Sequence, residues 1–239
     1  MELAGRHALR EAFVLHRGLF RETSLLLDVF ACDHGIVRLL AKGALRGKGG
    51  KSGVLQPFNP LGLAWTARGE PAVLTAAEAL GRCHALVGKT LFCGLYLNEL
   101  LLRLLPSHDP YPDLFAFYGQ SLARLESGER LDEALRFFEL ALLEELGYGL
   151  LLDCDAGGGD IRPERHYDYR IEQGPVEAAP GPYAIPGAAL LGLRDGELQG
   201  ASEINAAKRL MRRVILHHLG GKPLKSRELF KFTQTTEAK

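Results

Sequence analysis

The hydrophobic pattern of this chain changes its period at about residue 80, and this change limits the folds that the chain can form. Before that point, runs rich in Val, Leu, Ile and Phe predict five short strands, at 12–16, 23–30, 36–42, 61–66 and 72–79. After it, apolar residues recur at helical spacing. The sequence therefore predicts an α+β protein with a strand-rich domain at 1–80 and a mainly α-helical domain at 81–239.

The five predicted strands are separated by turns and by one long basic loop. Tight turns are predicted at 17–18, 33–35 and 68–70, where Gly follows or precedes a polar residue. The glycine-rich segment 43–53 separates the third and fourth strands. This arrangement is typical of a small closed barrel of the OB-fold type. Such barrels commonly bind single-stranded nucleic acid across their face and loops.

Three helices are predicted at about 91–105, 112–125 and 131–146, the last with Gly147 at its C-terminal cap. Pro106 ends the first helix, and its predicted inward stripe is Leu91, Leu95, Asn98, Leu102 and Leu105.

The remaining part of the helical domain divides into an irregular subdomain and a basic helix. Residues 154–200 are rich in Gly and Pro, and we predict only one strand there, at about 166–172. A helix at 202–219, with Ser202 as its N-cap, and a basic tail complete the chain.

Charge is sorted by segment, although the formal net charge is +0. Residues 34–69 contain no acid but six basic residues, which are Arg38, Lys42, Arg46, Lys48, Lys51 and Arg68. Residues 206–231 contain one acid, Glu228, and a run of basic residues: Lys208, Arg209, Arg212, Arg213, Lys222, Lys225, Arg227 and Lys231. The pattern favours contact with a polyanion on two chosen surfaces over solvated charge alone.

Gly50-Lys51-Ser52 has the ending of a phosphate-binding P-loop, but the rest of that motif is missing. Leu45 occupies the position of the first glycine, and no strand-to-helix pattern surrounds the segment. An enzyme of phosphoryl transfer is therefore disfavoured. A flexible loop that lets Lys48 and Lys51 reach phosphates is the better interpretation.

No other segment carries a catalytic or metal-binding motif, so we expect no enzyme activity, no cofactor and no metal. The four cysteines lie far apart in sequence, which favours reduced thiols. His217 and His218 are adjacent on a helix and point about 100° apart. Among the barrel aromatics, which are mainly core candidates, Trp65 is the first candidate for stacking on a base, ahead of His16 and Phe20.

Several blocks, in order along the chain, resemble the RecO family of bacterial recombination mediators. They stand at 12–16, 22–30, 38–44, 55–58, 94–101, 136–143 and 220–230. The last block, Gly-Gly-Lys-Pro-Leu-Lys-Ser-Arg-Glu-Leu-Phe, is the most specific. The resemblance covers nearly the whole chain.

The resemblance implies an N-terminal OB-fold, a helical C-terminal domain and a non-enzymatic role in the cytoplasm, at the nucleoid. It implies binding of single- and double-stranded DNA and annealing of complementary strands. It also implies contact with the C-terminal tail of single-stranded-DNA-binding protein and cooperation with RecR in loading RecA. Some family members carry a four-cysteine zinc module, but here only Cys154 stands near that place. The irregular subdomain is therefore expected to be a degenerate form without zinc.

Two site hypotheses follow from charge and resemblance together. We expect DNA phosphates to contact Arg38, Lys42, Arg46, Lys48, Lys51 and Arg68. We expect the partner tail, or DNA, to contact Lys208, Arg209, Arg212, Arg213, Lys222, Lys225 and Arg227 over an apolar floor of Leu224, Leu229 and Phe230. For the second set, packing of the tail onto the barrel with its lysines solvated remains an equal alternative. An OB-type RNA-binding module and a protein scaffold are the competing classes of function.

Overall fold

The computed structural model of the chain describes residues 8–46, 51–66 and 69–226, with the side chain of Lys51 left out. These residues form two compact units. The first runs to Ser127 and includes the chain again from Leu224, and the second is Gly128–Pro223. The predicted division near residue 80 separates the strands from the helices of the first unit. As a boundary between independently folding domains it stays a prediction.

The N-terminal part of the first unit is a closed five-stranded barrel, which confirms the predicted OB-type fold. The strand order around the barrel is β1-β2-β3-β5-β4, with β4 pairing back onto β1. β3 and β5 are parallel, and the other neighbours are antiparallel. The strands are β1 Arg10–Phe20, β2 Ser24–Ala31, β3 Gly35–Ala41, β4 Leu61–Trp65 and β5 Ala72–Ala79.

Alternation of side chains fills the barrel. Along β2, Leu25, Leu27 and Val29 point inward and are almost completely buried, while the residues between them are partly exposed. Leu39 and Leu63 of the neighbouring strands join the same core. Burial of this apolar set stabilises the closed sheet, because all five strands contribute side chains to it.

The predicted turn at Arg17-Gly18 is wrong, because β1 continues through both residues to Phe20. Pairing with β2 extends to Phe20↔Ser24, so the reversal falls at 21–23, where Arg21 takes a positive φ of 56°. The β1–β2 register also shifts between Val14 and His16, which makes Leu15 the extra residue of a β-bulge.

Two helices pack beside the barrel in the first unit, α1 Gly88–Leu104 and α2 Pro112–Ser127. The predicted inward stripe of α1 is only partly right. Asn98 and Leu105 are buried as predicted, whereas Leu91, Leu95 and Leu102 are half-buried. Leu97, Leu100 and Leu101, outside the predicted stripe, are fully buried. The reason is that α1 contacts both β1 and α2, so its buried face is wider than one stripe.

The chain returns to the first unit at Leu224, which is buried. The backbone N–H groups of Lys225 and Ser226 donate to the Glu99 carboxylate of α1 at 2.9 and 2.8 Å. The start of the predicted basic tail is therefore fastened to α1.

The second unit combines helices with a small sheet of order β7-β6-β8. The predicted strand is present as β6, and two more strands and a helix accompany it within 154–200. Its elements are α3 Leu131–Glu145, β6 His166–Arg170, β7 Gly174–Ala178, β8 Ile185–Pro186, α4 Gly187–Asp195 and α5 Gly200–His218. The residues described contain no helix that is long and apolar enough to cross a membrane.

α5 begins two residues earlier than predicted, so the assignment of Ser202 as N-cap is wrong. Ser202 lies exposed in the first turn. The N–H of Gln199 donates instead to the Glu203 carboxylate at 2.7 Å. A carboxylate in the first turn also suits the positive end of the helix dipole.

Candidate nucleic-acid interface and partner surface

One end of the barrel brings together cations from β1, from the β1–β2 turn and from the segment after β3. The Leu45 N–H donates to the Thr23 carbonyl at 3.1 Å, and the Gly43 N–H donates to Ser24 Oγ at 3.4 Å. These bonds hold the two segments side by side. We call this region the basic end, and its cationic residues are Arg17, Arg21, Lys42 and Arg46.

The same end exposes apolar side chains. Leu19 is 79% exposed at the tip of the β1–β2 hairpin, and Phe20 beside it is half-buried. The Arg21 guanidinium lies 5.5 Å from the centroid of the Phe20 ring. Exposed apolar groups among cations suit a strand whose bases are unpaired, because bases can stack on them while phosphates meet the arginines.

Arg17 links β1 to the segment that follows the basic loop. Its guanidinium donates to the Ser52 carbonyl at 3.2 Å, and the Ser52 N–H donates to the Ala44 carbonyl at 3.2 Å. Lys51–Gly53 forms one 3₁₀ turn rather than the first turn of an α-helix. This geometry agrees with the sequence argument against a P-loop, although Gly50 lies outside the described residues.

Arg38 stands on the outer face of the barrel in a ladder across three strands. His16, Asp28 and Arg38 occupy paired positions on β1, β2 and β3. Arg38 Nε lies 2.7 Å from one Asp28 carboxylate oxygen, and His16 Nδ1 lies 3.3 Å from the other. Asp28 therefore offsets part of the charge of Arg38.

The structure places the residues of the first site hypothesis in two groups. Lys42 and Arg46 are exposed at the basic end, whereas Arg38 belongs to the outer face. Lys48, Arg68 and the side chain of Lys51 lie outside the described residues. Arg17 and Arg21 were missed by the sequence argument. The sequence does place a cation on each side of Gly18-Leu19-Phe20, which could have indicated a basic hairpin tip. The wrong prediction of a turn at 17–18 kept this pattern from being recognised.

Trp65 is not an open stacking surface, because it is only 8% exposed. The Arg10 guanidinium lies 4.6 Å from the ring centroid. His16 is exposed and Phe20 is half-buried, so these two are more accessible than Trp65, whose small exposed part lines a cleft of the barrel.

The basic residues of α5 divide by what they contact. Lys208 Nζ lies 2.7 Å from the Asp132 carboxylate of α3. Arg213 lies 3.4 Å from the Asp168 carboxylate of β6 and also donates to the Tyr169 carbonyl. These two residues therefore bind α5 to its neighbours within the second unit.

Arg209 and Arg212 are exposed and line a cleft of about 290 Å³ in the second unit. Ile185 and Leu210, both almost completely buried, form its floor, and Tyr183 stands at its edge with 80% of its surface exposed. We call it the α5 cleft. Its cations surround an apolar floor, which suits a peptide that carries both acidic and apolar side chains.

Arg213 also lines the α5 cleft, but the remaining described residues of the second hypothesis do not. Lys222 is exposed at the end of the second unit, and Lys225 belongs to the first unit. Leu224, predicted as part of an apolar floor, is buried in the first unit. Arg227, Leu229 and Phe230 lie outside the described residues.

The groups that could suggest a metal site are used otherwise. Asp155 accepts the N–H groups of Gly157 and Gly159, both at 2.8 Å, and so closes a turn beside the exposed Cys154. His218 stacks on Tyr148 at 4.2 Å, and burial lowers the pKa of His218. Across 8–46, 51–66 and 69–226, no three metal-ligating side chains of His, Cys, Asp or Glu come together.

A closed five-stranded barrel followed by helices defines the chain as an OB-fold protein of the α+β class. Residues 6–82 match the family model described as Recombination protein O N terminal, and residues 87–228 match Recombination protein O C terminal. The chain therefore belongs to the RecO family.

Relatives support the same family over almost the full length of the chain. A protein of Methylococcus capsulatus named DNA repair protein RecO is 54% identical over 227 residues, 95% of this chain and 94% of the relative. A protein of the same name from Dechloromonas aromatica is 44% identical over 240 residues, 98% and 99% of the two chains. A third, from Pseudomonas aeruginosa, is 45% identical over 226 residues, which cover 93% of this chain and 94% of the relative.

Proposed function

We propose that this chain is a non-enzymatic, DNA-binding recombination mediator that acts in DNA repair at the nucleoid. It binds single- and double-stranded DNA and anneals complementary strands. The observation that supports this most directly is the basic end, where Arg17, Arg21, Lys42 and Arg46 meet with one exposed acid, Glu22. Membership of the RecO family, whose relatives are named DNA repair proteins, supports the same role.

Annealing brings two polyanions together, and their repulsion must be reduced by cations. At the basic end, Arg21, Lys42 and Arg46 contact phosphates. Leu19 and Phe20 contact bases that have left their stack, which keeps a strand open for pairing. No covalent chemistry is needed, because pairing itself supplies the driving force.

The α5 cleft provides a place for the C-terminal tail of single-stranded-DNA-binding protein. The tail of that partner is acidic and apolar, so its acids approach Arg209 and Arg212 while its apolar end contacts Ile185 and Leu210. Contact with this partner brings the mediator to coated strands. The chain then acts with RecR to help load RecA.

Annealing of complementary oligonucleotides coated with single-stranded-DNA-binding protein tests the proposal. The rate is measured with and without the chain, across a salt series, with RNA strands as a parallel arm. We expect acceleration that weakens with salt, and loss of most of it in the Arg21→Ala, Arg46→Ala double variant. Arg124→Ala, an exposed arginine of α2, serves as control. Preference for RNA, or no acceleration by folded protein, would overturn the proposal in favour of an RNA-binding module or a scaffold.

A further inference from the structure

A second cleft opens in the first unit, at the end of the barrel where β3 begins. It has a volume of about 360 Å³, within the range of sites that hold small organic groups. Its lining includes Arg10, His34, Arg38, Trp65, Glu70 and His108. These residues come from the start of β1, the β2–β3 turn, β3, the end of β4, the loop before β5 and the segment after α1. We call it the Trp65 cleft.

Trp65 gives this cleft an aromatic wall that is held in place on two sides. The Arg10 guanidinium lies 4.6 Å from the ring centroid. The His34 ring meets the indole edge-on, with centroids 5.4 Å apart and planes at 87°. Because the Trp65 ring is already held in place, binding of a planar group beside it costs little side-chain conformational entropy.

The charges around the Trp65 cleft largely offset one another among the described residues. Arg10 lies 3.7 Å from Asp33, and Arg38 lies 2.7 Å from Asp28. Glu70 adds a further carboxylate to the lining. A phosphate would gain little from guanidinium groups that already have carboxylate partners. An uncharged planar group with both hydrogen-bond donors and acceptors, such as a nucleobase, matches the lining better.

Arg38 connects this cleft with the outer face of the barrel. It lines the cleft and also ends the ladder of His16, Asp28 and Arg38 across three strands. β3 starts beside the cleft, and the basic end follows its last residue. Seven residues of strand span roughly 20 Å, which suits the several nucleotides that an OB-fold commonly covers.

We propose that the Trp65 cleft receives one unpaired base of a single DNA strand whose phosphates are held at the basic end. This inference rests on the proposed function and adds a base-binding subsite to it. Bases along the strand reach the cleft only when they are unpaired. The subsite therefore gives the barrel a preference for single strands that phosphate contacts alone do not supply.

Trp65 is the only tryptophan of the chain, so its fluorescence reports on this cleft directly. The experiment titrates the full chain with a labelled twelve-nucleotide oligothymidylate and with an abasic strand that has the same number of phosphates. Anisotropy of the label measures binding, and tryptophan emission measures occupation of the cleft. We expect both strands to bind, and only the strand with bases to change the emission.

Two substitutions matched in charge sharpen the test. Glu70→Ala removes a carboxylate from the cleft, and Glu78→Ala removes one from the far part of β5. Both reduce repulsion of phosphates, but only the first removes an acceptor for a base. We expect Glu70→Ala to bind oligothymidylate about tenfold more weakly than Glu78→Ala does, with equal affinities for the abasic strand.

Three outcomes would overturn the inference. Bound oligothymidylate that leaves tryptophan emission unchanged, or an abasic strand that changes it equally, removes the base subsite while the proposed function stands. Failure of both strands to bind would remove the proposed function together with the subsite.

Discussion

Tyr118 donates its hydroxyl to Asn98 Oδ1 at 2.5 Å, and both side chains are buried between α1 and α2. Asn98 Nδ2 in turn donates to the Leu15 carbonyl of β1 at 2.7 Å. Leu15 is the bulge residue, so its backbone is left out of the regular ladder with β2. Burial raises the pKa of Tyr118, and the hydroxyl therefore remains a donor. One polar network thus ties the irregular point of the barrel to both helices.

Tyr118→Phe should lower the free energy of unfolding by about 1–3 kcal/mol, because Asn98 Oδ1 would lose this buried donor. The Phe ring would keep the contacts that Tyr118 makes with Phe13 and Phe30. Unfolding in urea measures the loss. Tyr183→Phe, at an exposed position, is the control and should change little. Equal effects of the two substitutions would show that the buried hydroxyl of Tyr118 contributes no more to the free energy of unfolding than an exposed one.

Glu126 fastens the exposed segment between β5 and α1, and this contact should depend on pH. The backbone N–H of Ala85 is the main cause that lowers the pKa of Glu126, with smaller effects from His84 and Arg82 and an opposing effect of burial. A lowered carboxyl pKa means that the stabilisation is present at neutral pH. It is lost as pH falls through the folded-state pKa, below the ordinary value of 4.5.

Glu126→Gln should therefore weaken protection of the Ala85 amide at pH 7. Hydrogen exchange, expressed as a protection factor, measures this directly. The difference from the unsubstituted chain should close as pH falls through the lowered pKa of Glu126, because the native carboxyl then becomes protonated. A difference that persists after the Glu126 carboxyl has been protonated would show that the effect comes from the shape of the side chain and not from its charge.

The barrel could be predicted from the sequence because alternation of apolar residues is a local signal. The predicted strand 72–79 has the bounds of β5, and those of β2, β3 and β4 differ by one residue at most at each end. β1 was predicted too short because Arg17-Gly18 has the composition of a turn. Only pairing with β2 determines that the reversal lies at 21–23, and a partner strand is not visible in local sequence.

The candidate sites were predicted less completely, because charge counts along the chain ignore partners across the fold. Arg38 and Asp28 are ten positions apart on different strands, and Lys208 and Asp132 are separated by 76 positions. Each pair becomes an ion pair only when the chain folds. Of the cations at 206–213, Arg209 and Arg212 line the α5 cleft, whereas Lys208 forms an ion pair with Asp132 of α3.

The Arg21→Ala, Arg46→Ala double variant should bind single-stranded DNA more weakly and with less dependence on salt. Each phosphate contact to a single strand contributes about 0.7 to the slope of log affinity against log salt, so the slope should fall by about 1.4. Anisotropy titrations at several salt concentrations measure it. Arg124→Ala should leave the slope unchanged. A double variant with the native slope would remove the basic end as a phosphate site.

Asp28→Asn should strengthen binding of single-stranded DNA by a few-fold at low salt. The substitution removes the carboxylate that offsets Arg38 and repels phosphates on the outer face of the barrel. Asp113→Asn, an exposed acid of α2, controls for the change in net charge. Anisotropy at low and high salt should show a gain that fades with salt. Unchanged affinity would show that DNA does not pass along the ladder of His16, Asp28 and Arg38.

Arg212→Glu should weaken peptide binding by about tenfold or more. The peptide carries acidic and apolar side chains, like the proposed partner tail. The reversal places a carboxylate at the edge of the α5 cleft, where like charge opposes the peptide and the apolar floor stays intact. Calorimetry of peptide binding measures the affinity. Lys225→Glu makes the same charge change in the first unit, and the peptide should bind this variant as it binds the native chain. If Lys225→Glu weakened binding while Arg212→Glu did not, the tail site would belong to the C-terminal segment and not to the α5 cleft.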